Sequence, residues 1–232
     1  MQVTTGAHTY DITTFREDSR ASDGRRPDFV RFSDPERDAH RRDFTINGMF
    51  YDPISKKVID YVGGKEDLKR RVIGAIGEPS LRFGEDYLRM LRAVRFAGSL
   101  AFSLEGPTRQ AIVENAPNLA SISGERIREE LVRLFLDSRH KAGEGLRLLH
   151  ETALLNVCLP EIEATVGQEQ PSSFHPEGDV FVHTRLMLTL LKDDPSLSLV
   201  LSVLLHDIGK PSTYSYDEES ERIRFNGHDR IG

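Results

Sequence analysis

The sequence predicts an α+β chain: a short β-containing front followed by a mainly helical remainder. Three observations carry this. β-branched and aromatic residues concentrate in 8–15 and again in 50–62. From Phe83 onward apolar residues recur at spacings of three and four, the period of a buried helix face. A Gly/Gln/Pro/Ser-rich stretch at 167–173 then sets off a third block.

The first block, 1–62, opens with a strand over 8–15 and an exposed polar loop over 16–27. Ser33 is placed to cap a short helix, with Pro35 in its first turn and Glu36 three positions after the cap. Phe50–Pro53 and Val58–Val62 bracket a turn and read as a strand pair. The second block, 63–165, is helical: Phe83, Tyr87, Met90, Val94 and Ala97 share one face, and further helices fit 107–115, 124–136 and 141–153. After a linker at 167–173, the third block, 174–232, holds helices at 180–192 and 195–208 and a polar hairpin. The two helices are expected to pack antiparallel through Leu186, Leu190, Leu201 and Leu205.

Composition narrows the classes. With 232 residues, 38% hydrophobic, 18 Gly and 11 Pro, the chain is globular, not collagenous, coiled-coil or disordered. Cys158 is the only cysteine, which excludes an internal disulfide and a thiolate zinc cluster. A polar start predicts no signal peptide, and the longest apolar-dominated stretch, 197–205, is too short for a bilayer. The expected compartment is the cytoplasm. The net charge of −6 is uneven: +1 over 1–76, 0 over 77–155 and −7 over 156–232. Any polyanion is therefore expected on the first two thirds.

Three motifs bear on chemistry. Arg41-Arg42-Asp43-Phe44-Thr45-Ile46-Asn47 pairs two guanidinium forks, suited to phosphate oxygens, with an acceptor and an amide. By composition alone it reads more readily as a cationic helix end followed by a capped turn. Arg82, Glu85, Arg89 and Arg92 fall on one polar helical stripe, and Asp86 lies three residues from Arg89. A carboxylate beside a guanidinium offers the acceptors and donors that read a base edge, or forms ordinary surface ion pairs. His183, His206-Asp207 and His228 combine imidazoles with a carboxylate, a donor set for a divalent transition metal. The alternative is a buried, hydrogen-bonded histidine. Gly63-Gly64 before a helix is a weaker candidate anion site, and no serine sits in a nucleophile-elbow context.

In order, Asp11-Ile12-Thr13-Thr14-Phe15-Arg16, Asp23-Gly24-Arg25-Arg26-Pro27, the 41–47 motif, Asp60 with Gly63-Gly64, Arg82 to Phe96, and Glu125-Arg126-Ile127 with Glu130-Leu131 closely resemble the bacterial-type CCA-adding enzyme and poly(A) polymerase family. His183, His206-Asp207-Ile208-Gly209-Lys210 and His228 resemble the HD metal-dependent phosphohydrolase domain found behind some members. The resemblance implies the end of a nucleotidyltransferase palm at 1–62, a helical neck that binds nucleotide and RNA at 63–165, and a partial HD domain at 174–232. It implies RNA 3′-terminal nucleotidyl transfer, CCA addition to tRNA from CTP and ATP, with poly(A) synthesis and HD phosphohydrolysis as alternatives.

Residue by residue, it implies Asp11 as a palm carboxylate and Arg25 in a flexible loop. Arg42, Asp43 and Asn47 would lie on the triphosphate and ribose. Asp86 and Arg89, with Arg92 beside them, would form a protein template for the base of CTP or ATP. Glu85, Glu125 and Arg126 would support that helix. His183, His206 and Asp207 would hold a divalent transition metal. The family's Gly-Gly-x-x-Arg and its Mg²⁺-holding Asp-x-Asp would lie before Asp11, and the sequence contains no Asp-x-Asp. The final Asp of an HD site would fall after Gly232. The expectation is a chain truncated at both ends and inactive alone.

Overall fold

A computed structural model describes residues 1–6, 8–18, 30–136, 142–192 and 194–232. It divides into two compact units, Met1–Asp86 and Tyr87–Gly232.

The first unit is built from hairpins and short helices. β1 (Gln2–Thr5) pairs antiparallel with β2 (His8–Asp11), and β3 (Arg16–Asp18) with β4 (Val30–Phe32). The strand expected over 8–15 therefore stops at Asp11, and Arg16–Asp18, expected as loop, is paired. Helix α1 (Pro35–His40) is capped by Asp34, whose carboxylate accepts from the Arg37 amide at 2.9 Å, one residue later than the expected Ser33. A 3-10 turn, Thr45–Asn47, follows, then the expected hairpin of β5 (Phe50–Asp52) and β6 (Lys57–Ile59).

Helix α2 (Gly64–Arg70), strand β7 (Val72–Ile73) and helix α3 (Pro79–Glu85) complete the unit. Fully buried Phe44 bridges Ala75, while the Thr45 and Ile76 amides bond the Gly74 and Asp43 carbonyls. These links, with the Arg82 guanidinium on the His40 carbonyl at 2.8 Å, carry the unit past residue 62, the expected boundary, to Asp86.

The second unit is helical. It contains α4 (Leu88–Leu100), β8 (Ser103–Leu104), α5 (Gly106–Asn115), α6 (Gly124–Leu136), α7 (Ala142–Glu151) and the short α8 (Leu155–Cys158) and α9 (Pro160–Glu163). Then come α10 (Val180–Leu190), α11 (Leu197–Leu205), α12 (Lys210–Thr213), the hairpin β9 (Tyr214–Asp217) and β10 (Arg222–Phe225), and α13 (His228–Ile231).

Met90, Val94 and Ala97 of α4 are fully buried, as their spacing requires. Helices approach closely at small residues: a Cβ at Gly145 would sit 2.7 Å from Leu134, and one at Gly143 would sit 2.4 Å from the Arg185 carbonyl. The stretch 167–173 is no free linker. The Gly167 amide bonds Asp179 at 2.8 Å, and buried Gln170 bonds the Gly178 carbonyl at 3.2 Å.

Leu186, Leu190, Leu201 and Leu205, expected as the α10–α11 seam, are exposed. The buried residues of these helices are instead Val180, Phe181, Thr184 and Leu188, and Val200, Val203 and Leu204. In so apolar a segment leucine appears on every face, so leucine spacing alone does not select the buried one. No helix among the described residues is long and apolar enough to cross a membrane.

Candidate functional site

Two constellations stand out, one in each unit. In the first, Asp38 organises the 41–47 motif. Its side chain is 3% exposed and accepts from Arg41 Nε at 2.9 Å, and from Arg42 Nη2 and Nε at 3.0 and 3.2 Å. The Arg16 amide adds a bond at 3.2 Å. Burial works against the Asp38 charge, but the Arg16 amide and the two guanidiniums outweigh it and hold the carboxyl below its ordinary value. Asp38 was absent from the expected site. Its signal was the spacing to Arg41 and Arg42, three and four residues on, which places all three heads on one helix face.

Arg42, Asp43 and Asn47 are brought together. Arg42 Nη1 donates to the Asn47 carbonyl at 3.0 Å, and the guanidinium lies 5.0 Å from the Phe50 ring centre. Asn47 Nδ2 donates to Asp43 Oδ1 at 3.0 Å, and that oxygen also takes the Phe44 amide at 2.9 Å. Asp43 is buried and braces the turn from inside, while the Arg42 side chain is 37% exposed. The turn is internally bonded, as the capped-turn reading expects, and the Arg42 side chain remains partly open to solvent.

Arg25 lies outside the described residues. Asp11 is exposed at the end of β2, opposite Gln2. Among the described residues it belongs to no group of three potential ligands, so the residues present do not fit a two-magnesium site. Gly63-Gly64 is not an open anion site either. The Asp60 carboxylate takes the Val62, Gly64 and Lys65 amides at 3.1, 3.0 and 2.8 Å and fills that helix start itself.

The expected stripe of Arg82, Glu85, Arg89 and Arg92 is broken. Helix α3 ends at Glu85, Asp86 is extended (φ −161°, ψ 105°), and α4 begins at Leu88. Asp86 thus closes the first unit while Arg89 lies in the second. Glu85 pairs with Arg82 at 3.1 Å.

In the second unit the support of α4 comes from Glu130. Its buried carboxylate meets Arg95 Nε at 2.7 Å and Arg92 Nη1 at 3.8 Å. Glu125, expected as a brace, is fully exposed. Its own amide and the Ser123 hydroxyl take up its carboxylate and hold it below its ordinary value. Arg126, expected with it, sits half-buried in the first turn of α6, its amide on the Ser123 carbonyl at 3.1 Å. Glu130 stood one helical turn beyond in the same motif.

The second constellation lies around His206-Asp207, where α11 ends. His183, His206 and Asp207 each offer a ligand atom, all within 4.8 Å of one another. His206 Nδ1 donates to the Val203 carbonyl at 2.8 Å, which fixes the ring with Nε2 toward Asp207. Asp207 is buried, and its Oδ2 lies 3.0 Å from His206 Nε2 and 2.8 Å from Lys210 Nζ, yet forms no aligned hydrogen bond. Burial opposes the Asp207 charge, but His206 and Lys210 outweigh it and the carboxyl stays ionised well below its usual range. Contact with Asp207 in turn raises His206.

An ionised, buried oxygen without an aligned donor, beside a preset imidazole, fits a divalent transition metal. His228 stands at the edge, its Nε2 3.7 Å from Asp207 Oδ1. Sequence reasoning missed His175 and Glu177, which contact His183 from the turn before α10.

Comparison with known proteins adds the following. The family described as Poly A polymerase head domain matches residues 1–74, and that described as Probable RNA and SrmB- binding site of polymerase A matches 101–165. A CCA-adding enzyme of Lactobacillus delbrueckii is 53% identical over 58% of this chain and 34% of its own length. An A-adding tRNA nucleotidyltransferase of Deinococcus radiodurans is 38% identical over 85% of this chain and 46% of its own. The solved CCA-adding enzyme of Bacillus stearothermophilus in complex with CTP is 43% identical, with a TM-score of 0.57 over 66% of this chain and 36% of that one. The chain thus spans between about a third and half the length of these relatives.

Proposed function

Since the chain belongs to the bacterial-type CCA-adding enzyme and poly(A) polymerase family, we propose that it is part of a cytoplasmic enzyme that extends the 3′ end of tRNA, adding CCA from CTP and ATP and releasing pyrophosphate. The observation that carries this reading is the presentation of Arg42 over a turn locked by Asp43 and Asn47, with Asp38 fixing the guanidinium from behind. A guanidinium held in one geometry binds a triphosphate without ordering costs at the moment of contact.

In this proposal the end of the palm begins the first unit, which runs past residue 62 to Asp86, and the helices that follow, to residue 165, belong to the neck. Asp43 and Asn47 shape the ribose contact, Asp86 and Arg89 pair with the base, and Arg92 is set by Glu130. Mg²⁺ would serve the transfer itself, but no group of carboxylates to hold it is found around Asp11 among the described residues. Titration calorimetry tests the reading: CTP is expected to bind more tightly than dCTP, and Arg42→Ala to lose most of that binding. Equal binding of both nucleotides, indifferent to Arg42, would overturn it.

Two further readings have an observation behind them. The likeness to an A-adding relative, 38% identical over 85% of the chain, is the observation behind addition of A alone; incorporation of CMP by an active form decides against it. The His183, His206 and Asp207 cluster favours an HD-type metal-dependent phosphohydrolase in 174–232. A divalent ion there would supply an activated water at neutral pH. Metal-dependent cleavage of a chromogenic phosphodiester, lost in His206→Ala, is its test.

A further inference from the structure

We infer that Glu177 is the positioning residue of the His183–His206–Asp207 cluster, fixing His183 in the tautomer that offers Nε2 to a metal ion. This rests on the reading of that cluster as a metal site. Glu177 Oε1 lies 2.6 Å from His183 Nδ1 and 3.1 Å from His175 Nδ1. An ionised carboxylate only accepts, so both imidazoles donate from Nδ1. The lone pair of His183 is then confined to Nε2.

His206 is preset in the same sense by a different acceptor, the Val203 carbonyl. The two rings lie 5.6 Å apart. With both Nδ1 atoms engaged, Nε2 of each ring is the nitrogen left for a ligand role near the Asp207 carboxylate, the three residues each offering a ligand atom within 4.8 Å of the others.

The turn before α10 is shaped for this. Gly178 has φ +133°, a backbone that L side chains rarely adopt, and Asp179 caps α10 through the Val182 amide at 2.7 Å. The chain thereby doubles back so that Glu177 reaches His183, six residues on. His175 stands edge-on to His183, ring centres 4.7 Å apart and planes at 79°. The Glu177 and His183 side chains are only about 20% exposed, so water competes weakly for their bond. Oε1 shared between two imidazole N–H donors is the contact of an orienting group.

Zn²⁺ and Co²⁺ titrations of the whole chain against a chelating dye test this, together with long-range ¹H–¹⁵N histidine spectra of the metal-free protein. The expected result is one ion per chain, abolished by His206→Ala. Glu177→Ala should weaken it about 10–100-fold and Glu177→Gln less. His183 should appear as the Nδ1–H tautomer in the parent chain and as a mixture in Glu177→Ala. Unchanged melting of metal-free Glu177→Gln separates positioning from folding.

Affinity and tautomer unaffected by either Glu177 variant, with binding still lost in His206→Ala, would overturn the inference and leave the metal reading standing. A second ion lost only in Glu177→Ala would also overturn it, making His175, Glu177 and His183 a site of their own. No metal binding by the parent chain would end both.

Discussion

Asp38 Oδ2 accepts from both Nη2 and Nε of Arg42, at 3.0 and 3.2 Å, so a buried carboxylate sets the plane of a half-exposed guanidinium. Stability should follow the proton of this carboxylate. Its folded value lies below the ordinary 3.8, so the unfolded chain binds that proton more readily. Its contribution is complete above the ordinary value and is lost as pH falls through the lower folded one. Asp38→Asn should cost about 1.5–3 kcal/mol at pH 7 and flatten the acid side of the stability curve. Urea unfolding across the acid range measures both, and an unchanged acid limb would refute the assignment.

Glu130 and Glu125 should behave oppositely. Glu130 is buried against Arg95, which is itself 11% exposed, and its removal leaves a shielded guanidinium uncompensated. Glu130→Ala is expected to cost about 3–5 kcal/mol. Glu125→Ala, at a fully exposed position, should leave the denaturant midpoint nearly unchanged. Equal losses in denaturant midpoints would contradict the assignment of the brace.

Gly64→Ala should damage the first unit selectively. A Cβ there would lie 2.3 Å from the Thr45 carbonyl oxygen and 2.8 Å from Met49 Cγ. Backbone cannot step aside cheaply, so a loss of about 1–3 kcal/mol is expected. Loss of the Thr45–Asp67 bond, 2.7 Å here, should accompany it. Amide hydrogen exchange at residues 45–48 would report this, and unaltered protection would argue against it.

Asp86→Ala and Arg89→Ala are expected to impair or blur the choice between C and A in a form that transfers nucleotides. Each base-reading contact of this kind is worth about 1–3 kcal/mol. Single-nucleotide incorporation with CTP and ATP separately is the measurement. Identical selectivity in both variants, or simple unfolding, would remove these residues from base reading.

The 232-residue chain itself should bind nucleotide without incorporating it, because it contains no Asp-x-Asp. Labelled CMP or AMP appearing on a tRNA 3′ end with purified chain would disprove this.

Much of this was written in local pattern. The buried face of α4, the presence of α6 and α7 and the hairpin around residue 54 follow from periods of 3.6 and 2. The meeting of Arg42, Asp43 and Asn47 follows from their closeness along one turn. What escaped depends on tertiary placement. The break at Asp86 lies inside an apolar period that runs through it unchanged from Phe83 to Met90. The α10–α11 seam was misread because leucine occupies several faces of both helices. Glu177 was overlooked because only the fold of 175–179 returns it to His183. Gln170 looked like linker, yet it accepts from buried Lys210 at 3.0 Å.

Asp60 has a consequence for how this surface tells one anion from another. By seating its own carboxylate on the amides that open α2, the chain denies free phosphate, sulfate and stray nucleic-acid backbone the generic landing place that a bare helix start would provide. In the proposed function, anion capture would fall instead to guanidiniums of fixed orientation such as Arg42, which respond to the shape and spacing of the ligand's oxygens as well as to its charge. A self-occupied helix start would then act as a filter against the wrong guests.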